Sequence, residues 1–395
     1  MSFPLVELGD LVDEVSRWNP LHNHPDEVFV YIDLSSIDQE KKAIASVRKL
    51  VCAMAPSRAR QLVRSGDVLV STVRPNLNGV AVVSNALDGA TASTGFCVLR
   101  PNIAKLDGSY LFHWVRAPAF VGCMVKQAIG ASYPAVSDRV VLSSQIPLPS
   151  LPEQRRIASI LDKADTLRSQ RRAAVAKQDE LLQSVFIDMF GDPVTNPKGW
   201  EVSSISATKS KVQIGPFGSL LHKEDYITGG VALINPMHIV AGKITPGVEQ
   251  TVSPEKAIEL SLYRMRAGDI VIGRRGEMGR CAVVTSAEEG MLCGTGSLFI
   301  RPDGSRFTSR YLMFALSSNS MKLYLESLSQ GVTMANLNSS MVENLRIPVP
   351  PLTEQQRFTS IAEKIKKQKQ QMHNSAKQLE ALFASLQQRA FSGTL

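Results

Sequence analysis

Two turns of the chain place arginine and asparagine side chains between short apolar runs. The first turn is Arg74-Pro-Asn-Leu-Asn-Gly79, and the second is Gly273-Arg-Arg-Gly-Glu-Met-Gly-Arg280. Arginine and asparagine form paired hydrogen bonds with the edges of guanine and adenine. The turns therefore favour DNA contact through Arg74, Asn76, Asn78, Arg274 and Arg275. Contact with phosphates instead of bases, and a solvated turn with incidental arginines, remain alternatives.

Three further segments carry polar or aromatic side chains beside glycine. In Gln213-Ile-Gly-Pro-Phe-Gly-Ser-Leu-Leu-His-Lys-Glu-Asp-Tyr226 the glycines permit close backbone approach to a phosphate. A tight turn with Phe217 in the core explains them equally well. Gly130-Ala-Ser-Tyr-Pro-Ala-Val136 and Gly331-Val-Thr-Met-Ala-Asn-Leu-Asn338 carry groups that bond DNA or cap backbone groups. The candidate DNA-binding residues of these segments are Phe217, Ser219, Lys223, Ser132, Tyr133, Thr333, Asn336 and Asn338.

The first two turns lie between runs that are typical of β-strands. Residues 67–73 and 79–83 flank the first turn, and residues 269–272 and 281–284 flank the second. Each run is rich in valine, isoleucine or leucine and is bounded by turn residues. Together with a few helices, these strands indicate mixed α/β domains on both sides of the middle of the chain.

The chain repeats itself 201 residues later. Ile146-Pro-Leu-Pro-Ser-Leu-Pro-Glu-Gln154 returns as Ile347-Pro-Val-Pro-Pro-Leu-Thr-Glu-Gln355, and Arg100-Pro101 returns as Arg301-Pro302. A repeat of this length indicates a duplicated domain and not a solenoid. Two homologous halves predict a pseudo-twofold molecule, which suits a ligand with two ends, such as a pair of DNA half-sites.

Two long stretches free of proline and glycine are predicted to be helices. Residues 153–190 and 353–391 are rich in helix-forming residues and carry an apolar stripe. Each helix would be about 55 Å long, so we expect the two to pair antiparallel as a coiled-coil rod. Packing of each helix on its own domain remains an alternative. The residues expected to pair are Ile157, Leu161, Val175, Leu182, Ile361, Ile365, Leu379 and Leu386.

Charge and hydropathy narrow the class of protein. The net charge of +8 suits a polyanionic partner. The sequence shows no apolar run approaching the ~20 residues of a membrane helix, and its first residues lack the features of a signal peptide. We therefore predict a cytoplasmic protein that does not associate with membranes.

Motifs for catalysis and metal binding are missing from the sequence. It has no Gly-x-x-x-x-Gly-Lys-Ser/Thr phosphate loop, no Asn-Pro-Pro-Tyr methylase signature and no Cys-x-x-Cys pair among its five cysteines. His22 and His24 are the one close histidine pair, and neither has a further ligand nearby in the sequence. This pattern favours a DNA-binding protein without catalytic residues or a metal site.

The repeated element and its helix resemble a known family. Ile146-Pro-Leu-Pro-Ser-Leu-Pro-Glu-Gln-Arg-Arg-Ile157, followed by Met189-Phe-Gly-Asp192, resembles the central conserved region of the specificity subunits of type I restriction-modification systems. The element that begins at Ile347, with its helix, is similar to the distal conserved region. Gly215-Pro-Phe-Gly-Ser219 and the segment that ends at Asn338 resemble elements of the family's target-recognition domains. The first half lacks a clear Gly-Pro-Phe-Gly-Ser counterpart.

The resemblance implies an α+β fold in which two homologous target-recognition domains are separated by two long antiparallel helices. The domains would occupy residues 1–152 and 193–352, and the helices residues 153–192 and 353–395. Each domain is expected to read half of a split DNA site. The helices are expected to set the gap between the half-sites.

The resemblance also implies partners. These are double-stranded DNA, two methyltransferase (modification) subunits that bring S-adenosylmethionine, and motor and nuclease (restriction) subunits that use ATP and Mg. This chain itself would bind no cofactor. Two other functions stay open on the sequence: a DNA-binding scaffold or regulator that is dimerised by a coiled coil, and a stand-alone DNA nuclease.

Overall fold

The computed structural model describes residues 3–328 and 336–395, apart from the side chains of residues 179 and 180. The chain packs as two compact units, each made of a mixed α/β domain and parts of two long helices. Unit 1 comprises Met1–Ala174 and Met372–Leu395, and unit 2 comprises Val175–Gln371. The prediction of two mixed α/β domains with long helices is confirmed.

Unit 1 contains two four-stranded sheets. One has the strand order β2-β11-β8-β9 and antiparallel neighbours, and the other has the order β6-β3-β10-β7, in which β3 and β10 are parallel. Strand β1 pairs with β12, and β4 and β5 form a hairpin. The strands are β1 (Leu5–Glu7), β2 (Val12–Asp13), β3 (Val28–Ile32), β4 (Ile37–Asp38), β5 (Ala43–Ile44), β6 (Arg48–Val51), β7 (Ala59–Leu62), β8 (Val68–Ser71), β9 (Val80–Val82), β10 (Thr91–Ser93), β11 (Phe96–Pro101) and β12 (Gln145–Pro147).

Strand β8 lies between two hydrophobic cores, because successive residues of a strand face opposite sides of its sheet. Val68 and Val70 pack in the core that includes the helices, whereas Leu69 packs in a second core with residues of the other sheet. The helices of unit 1 are α1 (Gly108–Val115), α2 (Pro118–Gln127), α3 (Asp138–Leu142) and the first part of the long helix α4 (Leu151–Phe190).

Unit 2 has a similar sheet plan, except that the parallel pair lies at the edge of its second sheet and not in the middle. Its sheets have the orders β14-β23-β20-β21 and β15-β19-β16-β22, with β16 and β22 parallel, while β13 pairs with β24 and β17 with β18. The strands are β13 (Val202–Ser204), β14 (Lys211–Ile214), β15 (Tyr226–Ile227), β16 (Val231–Ile234), β17 (Ile239–Val240), β18 (Lys243–Ile244), β19 (Thr251–Val252), β20 (Ile270–Gly273), β21 (Cys281–Val283), β22 (Leu292–Cys293), β23 (Ser297–Arg301) and β24 (Arg346–Pro348). The helices are α5 (Pro254–Glu259), α6 (Ser309–Ser317), α7 (Asn319–Leu328), α8 (Ser339–Glu343) and the first part of α9 (Leu352–Ser392).

An ion pair between a partly buried arginine and a buried aspartate recurs in the two units. Asp67 accepts hydrogen bonds from Nε (2.9 Å) and Nη2 (2.7 Å) of Arg100. Asp269 accepts the same two bonds from Arg301, at 2.8 and 2.7 Å. Both carboxylates are almost fully buried, and such a charge is tolerated because it is paired. The repeated Arg-Pro element of the sequence therefore supplies the cation of each pair.

The glutamine of each repeated Glu-Gln element ties a long helix to the domain before it. The amide nitrogens of Gln154 and Gln355 each donate to two backbone carbonyl groups, and their amide oxygens each accept a backbone N–H. Both side chains are buried. Every polar atom of a buried amide needs such partners, so the two glutamines determine how α4 and α9 begin.

The long helices pair antiparallel within unit 1. Arg156, near the beginning of α4, donates to the backbone oxygen of Leu395 (3.0 Å), and Arg168 pairs with Glu380 (3.0 Å). Partner numbers therefore fall along α9 as they rise along α4. In unit 2 the end of α4 packs against the beginning of α9, as antiparallel pairing requires, through contacts of Phe186 with Phe358.

The residues predicted to pair the two long helices are buried to different degrees. Ile157 and Leu161 are fully buried in unit 1 with Phe383 of α9, and Leu386 packs against the same core. Ile365 is buried in unit 2 and Leu182 is partly buried there, whereas Val175, Ile361 and Leu379 are half-buried. Their individual roles in pairing stay predictions. The sequence reasoning missed the aromatic side chains Phe186 and Phe383, which lie on the same apolar stripes.

The pseudo-twofold relation and the boundaries of the four predicted segments also stay predictions. Among the helices of the described part of the chain, the structure shows none that is long and apolar enough to cross a membrane.

Candidate nucleic-acid interface

In unit 1 the turn after β8 is held by backbone hydrogen bonds. The N–H of Thr72 donates to the carbonyl of Gly95 (2.9 Å), and the carbonyl of Thr72 accepts the N–H of Val136 (2.9 Å). The N–H of Arg74 donates to the carbonyl of Pro134 (2.7 Å). The fold therefore brings together two of the segments that were predicted to contact DNA, residues 74–79 and 130–136.

Four of the predicted residues are exposed at this place. The guanidinium of Arg74 lies over the ring of Tyr133, 4.6 Å from its centroid, and its Nη2 is 3.4 Å from the carbonyl oxygen of Ser132. Tyr133 is 69% exposed. Asn76, which lies in the same turn as Arg74, is also exposed. A stacked guanidinium keeps donor groups at its edge, so Arg74 remains able to bond a base or a phosphate.

Asn78 has a structural contact. It adopts a left-handed conformation with φ of 46°, which asparagine tolerates better than most residues. Its amide nitrogen donates to the carbonyl of Val115 at the end of α1 (2.9 Å), so the side chain holds the turn on the domain. A direct DNA contact by Asn78 stays a prediction.

Lys42 is a residue of this surface that the sequence reasoning missed. Its ammonium donates to the carbonyl oxygen of Asn78 (2.6 Å). Burial lowers the pKa of Lys42, and the charges of Arg116 and Arg168 lower it further. The Lys41-Lys42 pair was a visible signal in the sequence, but its place beside the turn depends on the β4–β5 hairpin.

Unit 2 holds the corresponding turn in the same way. The N–H of Arg274 donates to the carbonyl of Gly296 (2.9 Å), and its carbonyl accepts the N–H of Leu337 (3.0 Å). Arg274 thus occupies the place of Thr72. Its side chain is 8% exposed and its Nε donates to the carbonyl of Leu337 (2.8 Å). Burial lowers the pKa of Arg274, and the neighbouring charge of Arg275 lowers it further.

Arg275 is the exposed arginine of this pair. Its backbone forms a β-bridge with Asn336. The neighbouring cations Arg280 and Lys322 are both paired with Glu277, whereas Arg275 forms no ion pair with a carboxylate of the described residues. An arginine without an acidic partner retains its charge and its donors for a ligand. We therefore rank Arg275 above Arg274 as a DNA contact, and both stay predictions.

The segment around Asn336 is only partly described. The amide oxygen of Asn336 is buried and has no hydrogen-bond partner among the described residues. Asn338 is exposed and caps α8, because its side-chain oxygen accepts the N–H of Met341 (2.8 Å). Thr333 lies outside the described residues.

The glycine-rich loop of unit 2 is built on a close backbone approach. A side-chain carbon at Gly215 would lie 2.0 Å from the carbonyl oxygen of Gly294, a distance at which only glycine fits. Phe217 is 63% exposed, so the interpretation that it fills the core is wrong. Ser219 and Lys223 are exposed on the same loop. The structure gives no contact between these three residues and Arg275, although both loops are anchored to the segment 294–296.

Cys97 and Cys281 are two of the buried cysteines of the described ranges. Burial raises the pKa of Cys97 to about 12 and that of Cys281 to about 12, so these thiols are unreactive. Within residues 3–328 and 336–395 no group of three or more potential metal ligands was found.

Comparison with known proteins gives one consistent family. The family model described as the type I restriction modification DNA specificity domain matches residues 61–177 and 218–381. The Type I restriction enzyme EcoBI specificity subunit of Escherichia coli is 22% identical over 335 residues, which is 76% of this chain and 68% of the relative. The putative type I restriction enzyme MjaX specificity subunit of Methanocaldococcus jannaschii is 24% identical over 386 residues, which is 91% of this chain and 85% of the relative.

Solved structures agree with these sequence relatives. A chain from work on complex assembly and conformational transition of the type I R-M system has a TM-score of 0.70 and 28% identity, and covers 100% of this chain and 98% of its own length. The HsdS subunit from Thermoanaerobacter tengcongensis has a TM-score of 0.50 and 29% identity, with coverage of 100% and 97%.

Proposed function

Because the chain belongs to the type I restriction modification DNA specificity family, we propose that it reads a bipartite DNA site and has no catalytic activity of its own. Each unit would read one half-site, and the partner subunits would methylate adenine and cleave DNA under its direction. DNA recognition follows from family membership. The bipartite reading and the absence of catalysis are the parts that we propose.

The observation that carries the proposal is the duplicated turn. In each unit a strand of the central sheet ends in a turn that is anchored by two backbone hydrogen bonds, to Gly95 and Val136 in unit 1 and to Gly296 and Leu337 in unit 2. Each turn presents one exposed arginine, Arg74 or Arg275. Arginine on an anchored turn can bond both acceptors of a guanine, because its position relative to the protein is set in advance.

The sequence around the two arginines differs, so the two units would prefer different bases. Arg74 is stacked on Tyr133, whereas Arg275 lies beside Asn336 and the buried Arg274. The sheet and the ion pair that support the turn are present in both units, with Asp67 and Arg100 in unit 1 and Asp269 and Arg301 in unit 2. A shared frame with different side chains is what a reader of two unlike half-sites requires.

The proposal assigns the chemistry to partners. Two modification subunits would supply S-adenosylmethionine and the methylating site, and restriction subunits would supply ATP-driven translocation and Mg-dependent cleavage. The chain would bind none of these cofactors. The family's assembly with other subunits is supported by the neighbour from work on the assembly of a type I system.

Methylation mapping tests the proposed function. The chain would be expressed with a type I modification subunit from the same organism in a host that lacks DNA methylation. Methyladenine would be mapped across the genome by single-molecule sequencing. We expect a split motif with a constant gap that appears only when both proteins are made. A soluble complex that adds no methylation would contradict the proposal. Cleavage by the purified chain alone, with Mg, would support a nuclease instead.

A further inference from the structure

The hairpin that follows β16 in unit 2 differs in chemistry from its counterpart in unit 1. In both units a single turn of 3-10 helix leads into a two-stranded hairpin, β4–β5 in unit 1 and β17–β18 in unit 2. The turn is capped by Asp33 in unit 1 and by Asn235 in unit 2. The two hairpins are therefore equivalent parts of the repeated fold.

The buried residues of the two hairpins are the same, and the exposed ones are not. Ile37 pairs with Ile44 in unit 1, and Ile239 pairs with Ile244 in unit 2. At two exposed positions unit 2 has apolar side chains where unit 1 has polar ones. These are Met237 and Val240 in unit 2, which are 66% and 56% exposed, in the places of the exposed Ser35 and the half-buried Asp38.

Packing therefore does not explain the apolar side chains. The paired strands form in unit 1 with a hydroxyl and a carboxylate at these positions, so strand pairing does not require Met237 or Val240. The unit 1 hairpin has a longer loop, in which Asp38 accepts the N–H groups of Glu40 and Lys41. Single exposed apolar residues are common and need no explanation. Here, however, two of them stand on one short hairpin whose loop, Ala241-Gly242, places Ala241 at a φ of 48°. Residues other than glycine, asparagine and aspartate rarely adopt this conformation.

The hairpin of unit 2 begins beside the turn that carries Arg275. A side-chain carbon at Gly273, two residues before Arg275, would lie 3.1 Å from Cβ of Pro236, which directly precedes Met237. One at Gly296, which anchors the same turn, would lie 2.9 Å from Cδ of Pro236. The segment that leads into Met237 therefore packs directly against the turn that carries Arg275. In a DNA major groove the apolar group available for contact is the 5-methyl group of thymine.

We infer that Met237 and Val240 contact the 5-methyl group of a thymine in the half-site read by unit 2, and that the hairpin of unit 1 makes no such contact. This inference rests on the proposed function, because it presupposes that unit 2 reads DNA bases. It adds the chemical group that is read and the residues that read it. Covering one methyl group is expected to strengthen binding roughly fourfold.

Replacement of thymine by deoxyuridine tests the inference, since it removes the methyl group and leaves base pairing intact. The full chain, purified with its modification subunits, would be titrated with duplexes that carry the mapped motif, with each thymine of both half-sites replaced in turn. We expect a roughly fourfold weaker Kd for at least one position in one half-site. That effect should vanish when Met237→Ser and Val240→Ser are combined, while the response of the other half-site to the same replacements stays unchanged.

Ile258→Ser is the matched control. Ile258 is 69% exposed and lies on α5, which follows β19. Strand β19 pairs with the beginning of β16, whereas the hairpin follows the end of β16. This variant should retain the thymine dependence. A motif-specific complex whose Kd is unchanged by every replacement would overturn the inference and leave the proposed function intact. So would a thymine dependence that survives the double serine variant. Absence of any sequence-specific binding would overturn both.

Discussion

Replacement of Arg275 by glutamine is the most direct test of the interface. Arg275 is exposed and forms no ion pair with the described residues. Its loss should therefore change the free energy of unfolding by no more than about 0.5 kcal/mol, as for most surface substitutions. Any large change in DNA binding would then report on a lost DNA contact and not on a damaged fold.

The size of the effect distinguishes two kinds of contact. A bidentate bond to guanine contributes about 1–3 kcal/mol of discrimination, so Arg275→Gln should weaken Kd roughly 5- to 150-fold and relax specificity at one base pair. A phosphate contact would weaken binding to all sequences alike and reduce the slope of log K against log salt by about 1. The anchored backbone of the turn favours the first result.

Fluorescence anisotropy with duplexes that vary one base pair at a time would measure both quantities. The matched control is Arg280→Gln on the same turn, since the Arg280 guanidinium is already bonded to Glu277 at 2.8 and 2.9 Å. We expect the control to bind with nearly unchanged affinity. If Arg275→Gln binds every duplex as tightly as the unaltered chain, the reasoning that an unpaired exposed arginine marks the interface is refuted.

Three further predictions concern the framework. Asp67→Asn leaves the partly buried Arg100 guanidinium without its anion and should destabilise unit 1 by about 1.5–3 kcal/mol; an unchanged denaturation midpoint would count against this. Phe186→Ala removes a fully buried ring and should lower the free energy of unfolding in urea by about 3–5 kcal/mol. Leu181→Ala, on the same helix but 46% exposed, should lower it far less. Equal losses would show that the packing of Phe186 against Phe358 is not a main stabilising contact. Insertion of about two helical turns after Ala174, matched by an equal insertion in α9, should lengthen the gap of the methylated motif, and an unchanged gap would contradict the idea that the helices set the spacing.

The sequence by itself determined the repeat, the long helices and the strands on both sides of the two turns. These features are encoded locally, because helices and strands impose their own periods on apolar residues and a duplication preserves them. The helices are observed at Leu151–Phe190 and Leu352–Ser392, close to the predicted ranges. The repeated glutamine and Arg-Pro elements were visible as motifs, but their roles in tying helix to domain and in burying an ion pair were not.

Tertiary structure alone decided which side chains face a ligand. Arg274 and Arg275 are chemically identical neighbours, yet one is buried against Leu337 and the other is exposed. Phe217 fits a core or a surface equally well in the sequence, and the structure exposes it. The orientation of a side chain on a turn depends on contacts between residues far apart in the chain. Local sequence therefore identifies the turns but not their outward faces.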